Sequence, residues 1–177
     1  MKQRLFLFFF INVCLSLNAQ QNHYNQLKVH YDSLRKVENH ESALLVAKQM
    51  ISWALQNETD TSLRYAVSLM FAGRTFYALQ QIDSSKYYFD NAITFLEKQR
   101  RSTSIEYTDC LSSLAILLGN MGDFKHAEQK YLLAIDIRNS FPTQKGNKPK
   151  YQNNLGYLYL KMGMYDEAET VIKASLK

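Results

Sequence analysis

Glycine and proline are scarce in this chain, 6 and 2 among 177 residues. Collagen-like, disordered and many-turned β-sandwich chains all need more chain-breaking residues, so that scarcity excludes them and favours helices. Cysteine occurs only at Cys14 and Cys110. Cys14 lies in an N-terminal leader; once that is removed, Cys110 stands alone, no intrachain disulfide forms, and stability must come from packing. Also missing are a Gly-rich loop ending in Gly-Lys-Ser/Thr, Gly-x-Ser-x-Gly, His-Glu-x-x-His and Cys-x-x-Cys. The four histidines, His23, His30, His40 and His126, do not stand at metal-ligand spacing from one another. The expectation is a chain without catalysis, cofactor or metal. A strong charge of one sign is lacking too. Twenty-one Lys and Arg against 16 Asp and Glu give +5, an excess that reads as spread along the chain. Its two local clusters, Arg100-Arg101 and the lysines of 145–150, fall in connector-like stretches. A nucleic-acid partner needs cations gathered on one face, so none is expected.

What is present begins with the leader. Lys2 and Arg4 precede an apolar run from Leu5 to Leu17, and the chain turns polar at Asn18, with Ala19 as the small residue for cleavage. These are the parts of a secretory signal peptide over 1–19. A lipoprotein signal with Cys14 lipidated is a rival, set back by Val13 where a small residue belongs. An uncleaved anchor is a third reading. The run is short of the ~20 residues a spanning helix needs, and no second one long enough occurs later in the chain. The expectation is export to the periplasm or exterior, no stable membrane span after cleavage, and a mature chain of 20–177.

That mature part repeats itself. Leu114–Glu128 overlays Leu155–Glu169 at an offset of 41, with Leu, Met-Gly, an aromatic two residues on, and Ala-Glu coinciding. Each block reads as a helix, a break at Gly122 or Gly163, and a second helix. Glycine suits a left-handed helix end, and Asp123 is placed to cap the second helix of its block. The pattern extends backwards through Ala72-Gly73, Ser85, Phe89 and Ala92, and more weakly through Tyr24–Gln56. Equivalent starts at Tyr24, Ala66, Thr108 and Pro149 lie 42, 42 and 41 apart. Four hairpins are predicted, near 24–57, 66–99, 108–141 and 149–177, the last incomplete. Small residues such as Ala127, Ala134 and Ala168 let helices approach, with Tyr131 and Ile172 filling the space between. One hairpin cannot bury both sides of its apolar face, so neighbours must stack.

These residues resemble the tetratricopeptide repeats. Leu114-Ala115, Leu118, Gly122, Phe124, Ala127, Tyr131 and Ala134 give the fullest copy, then Leu155-Gly156, Tyr159, Gly163, Tyr165 and Ala168 the next. Gln80 and Glu38 stand where the earlier copies would carry glycine. The usual period is 34 residues, and the longer one here resembles kinesin-light-chain-type repeats. The resemblance implies an all-α superhelix of about four hairpins whose first helices line a concave face holding a peptide or protein partner. Carried over, that face includes Met70, Arg74 and Tyr77, then Asp109, Ser112, Ser113 and Ile116, then Lys150, Asn153, Asn154, Tyr157 and Lys161. Asn153 and Asn154 suit a peptide backbone because one amide both donates and accepts. Tyr77 and Tyr157 offer flat contact area, and Arg74, Lys150 and Lys161 suit carboxylates. The resemblance also admits a second reading, the N-terminal sensor of a larger signalling protein, such as a histidine kinase or a CHAT-like protease. No capping helix follows Val171, Ile172 and Leu176 in this sequence, so the expectation is either a fragment of a larger protein or self-association through the last helix.

Overall fold

The computed structural model describes residues 22–57, 63–141 and 148–176. The signal peptide expected at 1–19 lies outside the described residues. Eight helices are present among them: α1 (22–36), α2 (His40–Asn57), α3 (Leu63–Ala78), α4 (Ile82–Lys98), α5 (Ile105–Asn120), α6 (Phe124–Ser140), α7 (Lys148–Met162) and α8 (Tyr165–Ser175). Consecutive odd and even helices pair as hairpins, and each hairpin stacks on the next. The expected all-α solenoid is what the chain forms.

The turns show why. The hairpin turns pass through a left-handed residue at Glu38 (φ 56°), Gln80 (φ 59°), Gly122 (φ 84°) and Gly163 (φ 76°), at spacings of 42, 42 and 41. At each, the next amide donates back to a carbonyl five residues earlier: Asn39 to Leu34, Gln81 to Phe76, Asp123 to Leu118 and Met164 to Tyr159, all at 2.9 to 3.0 Å. This bond satisfies a carbonyl that the helix end would otherwise orphan. The period read from the sequence is thus the period of the turns. Asp123 caps α6 as expected, accepting from the His126 amide at 3.3 Å.

Within a hairpin, two positions set how closely the helices approach. Seven residues before the turn stand Tyr31, Gly73, Ala115 and Gly156, and nine residues after it stand Ala47, Phe89, Tyr131 and Ile172. Each pair of positions holds one small and one large residue. A Cβ on Gly73 would lie 2.8 Å from the Phe89 ring, and one on Gly156 would collide with Ile172. Ala43, Ser85, Ala127 and Ala168, five residues after the turns, have no exposed surface. The burial of Ala127 and Ala168 is what the stacked-hairpin reading requires.

The stack curves. Among the described residues the backbones of α3 and α5, and of α5 and α7, come within 8 Å of each other, whereas those of α4 and α6, and of α6 and α8, stay farther apart. Odd helices therefore sit closer together than even ones, which places them on the inner, concave side. Hydrogen bonds fasten them. The Tyr24 hydroxyl reaches Ser68 at 3.0 Å, Tyr31 reaches Thr75 at 3.0 Å, and Tyr151 reaches Thr108 at 3.0 Å. All three tyrosines are buried, so each hydroxyl needs such a partner.

Candidate functional site

The concave layer is assembled from α1, α3, α5 and α7, and its side chains bridge neighbouring repeats. Arg74 donates from Nε and Nη2 to the Ser113 hydroxyl at 3.0 and 2.9 Å. Asn120 donates to the Tyr77 hydroxyl, and its carbonyl accepts from Lys161 Nζ at 2.8 Å. Lys161 also donates to the Gly119 carbonyl at 3.3 Å, where the C-terminal end of α5 favours a cation. Asn154 donates to Ser112 over 3.4 Å.

Two cavities open along this layer and share Ile116. The larger, about 420 Å³, is lined by Arg35, Arg74, Tyr77, Ser112 and Lys150 among others. The smaller, about 210 Å³, is lined by Asn120, Asn154, Tyr157, Leu158 and Lys161 among others. Of the nine polar and aromatic residues expected to bind a peptide, Arg74, Tyr77, Ser112, Lys150, Asn154, Tyr157 and Lys161 therefore gather along one track. Tyr157 is 63% exposed and presents most of its ring to solvent.

The other two, Asp109 and Asn153, do not line these cavities. Asp109 Oδ1 accepts from the buried Tyr151 hydroxyl at 3.0 Å, and Asn153 Oδ1 accepts from Ser175 on α8 at 2.6 Å. Both serve packing between helices. Met70 is a core residue at 4% exposure, and Ser113 is buried as the acceptor for Arg74. Sequence reasoning passed over Arg35, because the first hairpin carries the weakest copy of the pattern. The register finds it: Arg35 stands three residues before the Glu38 turn, as Tyr77 stands three before Gln80.

Charge is not spread as the linear sequence suggests. The odd helices carry eight Lys and Arg against three Asp and Glu, net +5, whereas the even helices carry seven against nine, net −2. The alternation of helices between two layers performs this sorting, which no local cluster along the chain announces.

Other chemically capable groups are tied to structure. Cys110 is fully buried, and burial pushes its thiol up to about 12, which leaves it protonated and inert at neutral pH. Burial likewise raises Tyr131 and Tyr151. His126 is exposed and pairs with Asp123 at 2.8 Å; that hydrogen bond holds the Asp123 carboxyl below its ordinary value. Among the described residues, no group of three His, Cys, Asp or Glu is placed to hold a metal ion, and no helix is long and apolar enough to cross a membrane.

The fold is that of a tetratricopeptide-like α-α solenoid, whose stacked repeats present an extended concave surface. Residues 149–177 match the family model for the tetratricopeptide repeat. No curated protein sequence matches the chain. Among solved structures it is similar to BtubC (BKLC) from P. vanneervenii, at 15% identity and a TM-score of 0.71, covering 86% of this chain and 61% of that one. The chain thus spans under two thirds of that relative. A Podosopora anserina protein of kinesin-light-chain type, with nearly identical TPR-like repeats, gives 13% identity and a TM-score of 0.71, covering 85% and 72%. MamA gives 19% identity and a TM-score of 0.58, covering 90% and 80%. At such identities the likeness is one of fold.

Proposed function

We propose that this chain is an exported scaffold that holds an extended peptide or protein segment along its odd-helix face and performs no catalysis. The observation that carries the reading is the pair of cavities joined at Ile116, to which all four odd helices contribute. Small pockets in series suit alternate side chains of an extended segment. Tyr157 supplies a flat contact, and Asn154 keeps its carbonyl oxygen and one N–H for a peptide backbone beyond the single long bond to Ser112. Arg74 is pre-oriented by Ser113 with N–H groups to spare. Photo-crosslinking tests the site. A benzophenone residue replacing Tyr157 captures the partner, and the same residue replacing exposed Tyr87 on α4 does not. Equal capture at both positions sinks the reading.

The leader over 1–19 supports export. N-terminal sequencing of the protein from the periplasm or medium should begin near Gln20, and recovery of intact Met1 in the cytoplasm would contradict this. Self-association through α8 is proposed on the exposure of Leu176, at 82%, beside half-buried Val171 and Ile172. Light scattering should show a dimer that Leu176→Glu shifts to monomer; a monomer in both removes the idea.

A further inference from the structure

We infer that the smaller cavity is a binding site for a small, uncharged ring compound of the phenol class, whose hydroxyl meets the Tyr131 hydroxyl at the cavity floor. This goes beyond the peptide reading above and does not rest on it.

Six tyrosines are buried among the described residues, and five of them give the hydroxyl a protein partner. Tyr24 bonds Ser68, Tyr31 bonds Thr75, Tyr107 bonds Glu97, Tyr151 bonds Thr108 and Tyr159 bonds Glu128, at 2.6 to 3.0 Å. Tyr131, at 3% exposure, makes no hydrogen bond among the described residues, and burial alone acts on its phenol. A buried hydroxyl without a partner costs free energy and calls for a reason. Packing does not supply one, since Phe89 and Ile172 fill the equivalent place in the second and fourth hairpins without a hydroxyl. The Tyr131 oxygen is not sealed in either, because the fully enclosed unbonded polar atoms belong to other residues. Space reaches it where Tyr131 lines the smaller cavity.

The rest of the cavity decides what meets that hydroxyl. Ala115, Gly119 and Leu158 are buried and form apolar walls, which Ile116 and Tyr157 continue at the exposed mouth. The volume of about 210 Å³ exceeds the ~150 Å³ that holds a bare benzene ring, so a ring with one polar substituent fits. Lys161 brings a positive charge to the mouth, where its ammonium already donates to the Gly119 carbonyl and to Asn120 Oδ1. The floor is dry by contrast. Burial raises the Tyr131 phenol, and the same desolvation penalises an ionised group placed beside it. A ring with a neutral hydroxyl therefore suits walls and floor together, whereas a carboxylate suits the mouth alone.

NMR titrations of the protein with phenol, toluene and benzoate test this. Phenol should bind about fivefold more tightly than toluene, the worth of one neutral hydrogen bond, and benzoate should bind less tightly than phenol. Tyr131→Phe should erase the preference for phenol over toluene and leave toluene binding as it was. Its melting temperature should not fall, because no protein partner is lost. Ile116→Trp, at the mouth, should weaken phenol and toluene alike. If none of the three compounds binds, the cavity holds water alone and the inference is wrong. It is equally wrong if phenol and toluene bind the native protein alike, or if the phenol preference survives in Tyr131→Phe. Tighter binding of benzoate would put the recognised group at Lys161 instead of the floor. A lower melting temperature for Tyr131→Phe would mean that the hydroxyl serves the fold, and phenol binding untouched by Ile116→Trp would put the compound elsewhere; either result overturns the assignment. The peptide reading is tested separately, by crosslinking from Tyr157, and survives any of these failures.

Discussion

The first hairpin and the later three solve one packing problem with opposite assignments. In hairpins two to four the odd helix offers Gly73, Ala115 or Gly156, and the even helix fills the space with Phe89, Tyr131 or Ile172. In the first, Tyr31 stands on the odd helix and Ala47 on the even one, both without exposed surface. Tyr31 also stacks on Phe71 of the next repeat, with ring centroids 4.5 Å apart, and donates to its carbonyl at 2.9 Å. What recurs from hairpin to hairpin is one small and one large residue at the crossing, and which helix carries the large one is secondary. A motif written as a string of residue types misses this, and so the first hairpin looks degenerate as sequence while both residues of its crossing are fully buried.

Five substitutions probe that difference. Tyr31→Ala carries the largest expected effect, a loss of about 4 kcal/mol from the emptied volume and the two hydrogen bonds to Phe71 and Thr75. Denaturant titration reads it. Adding Ala47→Phe, which converts the first hairpin to the later arrangement, should recover part of the loss; no recovery would mean the two positions do not share one space. Gly73→Val presses on the Phe89 ring and should cost about 2 to 3 kcal/mol, with Phe89→Ala in the same chain relieving the clash. The turns differ in a smaller way. Gln80 and Glu38 hold a left-handed conformation that Gly122 and Gly163 adopt freely, so Gln80→Gly should raise stability by about 1 kcal/mol. Thermal melts that fall instead would show that the Gln80 side chain contributes a contact.

The smallest effect concerns pH and separates the third turn from the second and fourth. Asp123 caps α6 with its carboxylate, whereas Gln81 and Met164 make no side-chain cap. The His126 hydrogen bond lowers the Asp123 carboxyl in the folded state. Its contribution is therefore present above the ordinary carboxylate range and lost as pH falls through the depressed folded value. Asp123→Asn should flatten the acid side of the stability profile slightly, and an unchanged profile would mean this group contributes nothing to acid unfolding.

Features that act over a short range could be read from the chain before its structure was known. Gly122, Gly163, Asp123 and the Ala127 and Ala168 spacings act within one hairpin, so local conformational preference and periodicity reveal them. The fold and the 42, 42, 41 spacing of the turns were readable for that reason. What joins one hairpin to another was harder to see. Asn153 turning to Ser175, Asp109 held by Tyr151, and the meeting of Arg35 with Lys150 depend on the angle at which hairpins stack. That angle is the sum of many side-chain volumes. The sorting of charge into two layers has the same origin, because helices that alternate along the chain segregate only once the stack curves.

Amide NMR of the 20–177 chain decides whether the concave odd-helix layer is the working surface. The titrant is the captured partner segment. Perturbations should concentrate on α1, α3, α5 and α7 around Arg35, Arg74, Ile116, Lys150 and Tyr157. A set confined to the even helices, centred on Tyr87, Leu132 or Leu133, would put the binding surface on the opposite side of the stack and refute the groove.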